Sequence, residues 1–165
     1  MERDRQNERQ ALLGTLLAIQ TELFVLKTDR LDPLQKRLKE HPPGMFPTST
    51  AQQNYFNVYD SNAAALAKID DPQLLNKIVS VYGHAKGLVD AMNFNYRRFE
   101  AANRLILTEG KGPDSQEVKN VIVELTGLRT GIENGLETLH RGVDELLAGI
   151  PKYLEELASN KNADQ

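Results

Sequence analysis

Residues 118–157 read VKNVIVELTGLRTGIENGLETLHRGVDELLAGIPKYLEEL. Taken in sevens, Val118, Leu125, Ile132, Leu139, Leu146 and Tyr153 form one row, and Ile122, Leu136, Val143, Ile150 and Leu157 form a second that Arg129 alone interrupts. A 4-3 apolar spacing held over roughly six heptads describes a helix that lies along other helices for its whole length. The fold class it predicts is all-α: an antiparallel helical bundle of about four long, heptad-patterned helices, with coiled-coil-like seams.

Composition agrees with this. The chain has 165 residues, 40% of them hydrophobic but only 6% aromatic, with no Trp, so its core is built of Leu, Ile, Val and Ala. That length suits one domain, residues 1–165, with a polar tail over about 159–165. Twenty basic residues against 23 acidic give a formal net charge of −3, without the basic excess that a nucleic-acid binder carries. Cysteine is absent, which excludes disulfides, thiolate metal sites and cysteine nucleophiles. The most apolar run, Ala11 to Leu26, is interrupted by Thr15, Gln20, Thr21 and Glu22, and this argues against a membrane span or a signal peptide.

Earlier in the chain, a charged start gives way to Leu12, Leu16, Ile19, Leu23 and Leu26, again spaced 4-3. Leu13, Leu17 and Phe24 widen that seam to the face of a helix touching two neighbours. The pattern resumes one residue out of phase at Leu31, Leu34 and Leu38, and Asp32-Pro33 predicts a kink or a new start. His41-Pro42-Pro43-Gly44-Met45-Phe46-Pro47 is a loop. Ser49 with Gln52 has capping-box spacing for a second helix of about 20 residues, with Phe56, Tyr59, Ala63 and Leu66 as its apolar face. Asp71-Pro72 restarts the chain into a third helix, from about Pro72 to Glu109. Gly110-Lys111-Gly112-Pro113 ends it, Asp114 with Glu117 caps the fourth helix, and Pro151 is expected to bend that helix late in its course.

The order of these elements resembles a group of uncharacterised bacterial proteins that carry an N-terminal membrane anchor and then a small helical domain. The matching residues are Arg9, Ala11, Leu12, Leu16, Glu22 and Leu23, the loop Phe46-Pro47-Thr48, and Leu66, Asp71, Leu74, Leu75, Ile78, Tyr82 and Asn93. The resemblance covers roughly the first 95 residues. The large aromatic usual after the loop threonine corresponds here to Tyr55 or Phe56. It implies membrane tethering through an anchor that this sequence does not contain; were one to precede Met1, Arg3, Arg5 and Arg9 would favour the cytoplasmic side. It supplies no activity and no site.

No catalytic constellation emerges. Glu137 and His140 make one Glu-x-x-His pair, half of what a carboxylate-bridged di-metal bundle needs, and no second pair exists on another helix. The serines lie in no nucleophile elbow, and Gly110-Lys111-Gly112 is a turn rather than a phosphate loop. Arg97, Arg98 and Arg104 form a basic patch read as a solvated face beside Glu100. The expectation is therefore a non-enzyme without cofactor or bound metal.

Glycine is the unusual feature. Gly127, Gly131 and Gly135 recur every four residues in the last helix and Gly83 and Gly87 answer in the third, although each interior glycine costs roughly 1 kcal/mol relative to alanine. Close helix packing is the reading favoured for these five, with a compliant helix as the alternative. Phe99, Ile106, Val118, Ile122 and Leu125 continue the apolar rows to the end of the last hairpin, where a homodimer interface is expected, the alternative cover being the first helix lifted alongside by the loop. The functional expectation is a protein-interaction module that binds a protein partner or itself. The alternative is a ligand-sensing bundle with an interhelical cavity near Tyr82, Met92 and Tyr96.

Overall fold

The computed structural model describes residues 2–41 and 56–159. Among these residues every regular element is helical and none is a strand. Helix α1 spans Glu2–Leu26, continues through a π-helical turn at Lys27–Leu31, and becomes α2 at Asp32–Glu40. Two short helices follow, α3 (Asn57–Ser61) and α4 (Ala63–Leu66), and then the two longest, α5 (Pro72–Leu107) and α6 (Gln116–Ser159).

The phase slip in the leucine pattern has a direct structural counterpart. Leu26 and Leu31 are five residues apart, one more than an α-helical seam tolerates, and the π turn between them takes up the extra residue. The Asp32 N–H closes it by bonding to the Lys27 carbonyl, while Leu26, Leu31 and Asp32 all keep right-handed helical backbone. Leu23, Leu26, Leu31, Leu34 and Leu38 are consequently all buried. The kink or new start expected at Asp32-Pro33 takes the form of this π turn, after which α2 begins with Pro33 in its first turn, where a missing N–H is tolerated.

The predicted 20-residue second helix is also corrected. Ser49 and Gln52 lie outside the described residues, and the described part breaks at Asn62, whose backbone leaves helical geometry. The Asn62 amide donates to the Val58 carbonyl at 2.7 Å, and its Oδ1 accepts from Thr15 at 3.3 Å, so the side chain competes with continued helix. Phe56 and Leu66 are buried as expected, Tyr59 is half-buried and Ala63 is exposed.

Asp71 caps α5 as its sequence predicts, accepting from the Gln73 and Leu74 N–H groups at 2.8 and 3.2 Å. Gly110, at φ +63°, takes the left-handed backbone that turns the chain out of α5. At the start of α6 the cap is Ser115, whose Oγ accepts from the Val118 N–H at 3.4 Å, while Asp114 stands in solvent near Lys119. Pro151 lies within α6 without ending it.

Contacts between α5 and α6 show how the two helices run. Lys77 pairs with Glu145 and Arg98 with Glu124, while Val81 faces Gly142 and Leu88 faces Gly135. Partner numbers fall along α6 as they rise along α5, so the two run in opposite directions. The α1–α2 rod lies on α6 in the same sense, with Lys27 paired to Asp144 at 2.5 Å and Arg129 reaching Leu38. One apolar cluster fills the space between them, including Leu16, Ile19, Leu23, Ile78, Ile132, Leu139 and Leu146. A second, smaller one at the hairpin end joins Ala102, Val121 and Leu125.

Arg129, the residue that interrupts the apolar row, is buried for a specific reason. Its Nη2 donates to the Leu38 carbonyl at 2.5 Å, one of the last carbonyls of α2, and its Nε to Glu133 at 2.8 Å. A cation there satisfies an orphan acceptor at the negative end of the α2 dipole. Arg129→Met keeps most of the side-chain volume and removes that donor. It is expected to lower stability by about 2 kcal/mol in a urea or thermal melt.

The glycine stripe does not pack as expected. At Gly83, Gly87, Gly127 and Gly131 no described atom beyond the adjacent residues and the helix's own backbone lies within 4 Å of where a Cβ would stand, and all four are exposed. Gly135 does face a neighbour, Leu88 Cδ1 at 3.6 Å, and the tightest approach belongs to Gly142, at 2.8 Å from Val81 Cγ2. Gly127 and Gly131 thus have open space where a Cβ would stand, whereas Gly135 and Gly142 face side chains of α5 among the described residues.

Candidate functional site

Between Arg9 and Lys27 the only charged residue is Glu22, and it turns inward. Its Oε1 accepts from the Val58 N–H at 2.9 Å, and its Oε2 from the Tyr82 hydroxyl at 2.6 Å and the Tyr59 N–H at 3.4 Å. One carboxylate thus caps the N-terminus of α3 and ties it to α5. Tyr59 stacks on Tyr82 with ring centroids 4.2 Å apart, and Phe56 meets Tyr82 edge-on at 5.7 Å. These rings fill the space beside Tyr82, which is fully buried, while Met92 and Tyr96, the other residues about which a cavity is expected from sequence, are half-buried.

With Glu22 engaged inside, the outward side of α1 carries no charge from Gln10 to Val25. Its exposed residues are Gln10, Ala11, Gly14, Leu17, Thr21, Phe24 and Val25, with Thr28 just beyond. Leu17 is 53% exposed, Phe24 57% and Val25 47%. Thr21 and Thr28 bond back to the Leu17 and Phe24 carbonyls at 2.9 and 3.1 Å, and Thr28 also lies 2.9 Å from Asp29 Oδ1, so both hydroxyls have partners on their own helix. Leu17 and Phe24 widen the seam in the sequence as though a second neighbour were present, yet they are exposed among the described residues. The result is an uncharged helix face on which Leu17, Phe24 and Val25 are the large exposed apolar side chains. The helical run Gln6–Glu40 is also long and apolar enough to cross a membrane, by length and composition, and a third of its most apolar window is buried. The interruptions at Thr15, Gln20, Thr21 and Glu22 therefore do not disqualify it on those criteria.

The hairpin-end residues named from sequence differ in burial. Val118 and Leu125 are buried, whereas Phe99, Ile106 and Ile122 are half-buried. The exposed apolar residues there are Leu107 and Val123, at 82% and 72%. The Arg98 partner is Glu124 across the hairpin rather than Glu100, which instead accepts from the Tyr96 hydroxyl at 2.9 Å.

His140 is mostly buried, 14% exposed in its side chain, with Nε2 3.7 Å from Asp32 and no hydrogen bond to that nitrogen. Glu137 is exposed. Among the described residues no group of three His, Cys, Asp or Glu side chains could hold a metal ion. A cleft of about 790 Å³ lies where α2 ends against α6, lined by Gln35, Lys39, His41, Arg129, Glu133 and Glu137 among others.

Two tyrosines make the fold sensitive to alkali. Burial first, then the bond to Glu22, pushes the Tyr82 hydroxyl far above its ordinary range. Burial and a 2.5 Å bond to Asp70 push Tyr153 up to about 12. Tyrosine is neutral when protonated, so a raised folded value means that this stability is fully present below the unfolded value of 10.0 and is lost as pH climbs toward about 12. The melting temperature is expected to fall over that interval, and Tyr153→Phe to make the fall shallower.

No protein-family model, curated protein or solved structure matches this chain.

Proposed function

We propose that this chain is a non-enzymatic interaction module, an antiparallel helical bundle with heptad seams that presents the outer face of α1 to a protein partner or to itself. The observation that carries the reading is the charge-free face with Leu17, Phe24 and Val25 about half exposed, on a helix whose sequence is apolar enough for two neighbours. Its setting in this proposal is the cytoplasm, in a form tethered to a membrane as the bacterial resemblance implies. Membrane proximity is compatible with the apolar Gln6–Glu40 run.

The test is a pull-down with wild-type protein and with a Leu17→Asp/Phe24→Asp variant. Both substitutions are on exposed positions, so circular dichroism and melting temperature are expected to stay close to wild type while specific partners are lost. Partners retained in full by the variant would refute the reading.

A second reading, ligand sensing, is favoured by the cleft beside Arg129 rather than by the filled space at Tyr82. A thermal-shift screen is its test, because a ligand that binds the native state raises the melting temperature. The expected discriminating result is a rise that disappears in Glu133→Ala/Glu137→Ala.

A further inference from the structure

We infer that the partner of the α1 face is a second copy of this chain, packed with α1 antiparallel to α1 about a two-fold axis level with Ile19. This rests on the reading of α1 as the interaction face and names its occupant. The exposed row Gln10, Gly14, Leu17, Thr21, Phe24 and Thr28 has spacings 4-3-4-3-4 and reads the same from either end, with residue 19 at its centre. Two copies laid antiparallel about that centre therefore bring row against row. Gln10 meets Thr28, Gly14 meets Phe24 and Leu17 meets Thr21, each pair occurring twice.

The relief matches as well as the spacing. Gly14 is a notch, with no described atom within 4 Å of where a Cβ would stand, and Phe24 is the largest exposed side chain of the row. In the antiparallel register each Phe24 projects over the partner's notch. A parallel register would set Gly14 against Gly14 and leave a gap between the helices. Electrostatics point the same way, since neither copy brings a charge into the central seam, and opposed helix dipoles favour the antiparallel arrangement. The row is about 27 Å long at 1.5 Å per residue. A seam of that length falls in the class of small interfaces, below about 1,200 Å² in total, where transient, reversible encounters are found.

Sedimentation velocity over a micromolar concentration series, joined to cysteine cross-linking, tests the inference. The chain has no cysteine, so single substitutions report cleanly. Wild-type protein is expected to move from monomer to dimer as concentration rises, and Leu17→Asp to remain monomeric with unchanged helical content. An equimolar mixture of Gln10→Cys and Thr28→Cys proteins is expected to form the mixed disulfide, while Gln10→Cys alone does not couple, its two copies lying about 27 Å apart. A wild-type monomer throughout the series, or a Leu17→Asp dimer, would overturn the inference, and so would efficient coupling of Gln10→Cys to itself. A monomer whose pull-down partners are nevertheless lost in Leu17→Asp/Phe24→Asp would leave the interaction face standing and remove only the second copy as its occupant.

Discussion

Glu22→Ala is expected to destabilise the protein by about 3–5 kcal/mol, the larger of the two principal effects. The carboxylate serves three donors at once, the Tyr82 hydroxyl and the Val58 and Tyr59 N–H groups, and two of these belong to the first turn of α3. Removing it leaves a buried hydroxyl and a short helix without its cap. Each such donor costs about 1–3 kcal/mol when buried without a partner. For a chain of this size the loss corresponds to a fall in melting temperature of about 10 °C or more. Glu22→Gln keeps one carbonyl acceptor and is expected to lose roughly half as much. Tyr82→Phe removes one donor while keeping the ring that stacks on Tyr59 at 4.2 Å, and is expected to cost about 1–2 kcal/mol. Because the two groups share one bond, the double variant Glu22→Ala/Tyr82→Phe should be less damaging than the sum of the singles. Strict additivity in urea melts would show that the 2.6 Å contact contributes nothing in solution. Hydrogen exchange supplies a local readout, with protection at Val58 and Tyr59 lost before that of α5.

The second large effect is a contrast between two glycines of one helix. Gly142→Leu is expected to cost about 2–3 kcal/mol, since even a Cβ there would stand 2.8 Å from Val81 Cγ2, and Val81 is buried and β-branched, with little freedom to turn aside. Gly131→Ala is expected to raise stability by up to about 1 kcal/mol, because its surroundings are open and alanine is the better helix former. Gly131→Leu should be close to neutral or mildly stabilising for the same reason. From sequence alone the opposite is expected at Gly131, with leucine overpacking against a neighbouring helix. Melting temperatures of the three variants decide between them, and a Gly131→Leu loss matching that of Gly142→Leu would show that a neighbour does cover the stripe.

The exposed glycines also bear on how α6 behaves. Gly127 and Gly131 weaken the helix intrinsically without gaining a close contact among the described residues. The compliant-helix alternative stands on this point, because helical stability there is left to the buried rows of Leu125, Ile132 and Leu136 on the other side.

What the sequence determined by itself was the all-α class, the long helices and most of the buried rows. Those follow from the period of apolar residues and from local chemistry, such as the Asp71 cap before Pro72 and the turn at Gly110, and each is settled within a few residues along the chain. The phase slip after Leu26 was legible too, as a kink or a new start, although its form as a π turn that keeps Leu31, Leu34 and Leu38 buried is visible only in the fold. Tertiary structure alone decided the rest. Heptads say that a helix face is apolar but not which neighbour covers it, so Leu17 and Phe24 look like core in sequence and lie in solvent in the fold. Conversely, a lone Glu22 in an apolar run and a lone Arg129 in an apolar row look like defects. They become a cap for α3 and a cap for α2 only when residues 36 and 91 positions away in the chain arrive beside them. The physical reason is the same in each case: periodicity is a property of one helix, whereas burial and the pairing of polar groups belong to two helices at once.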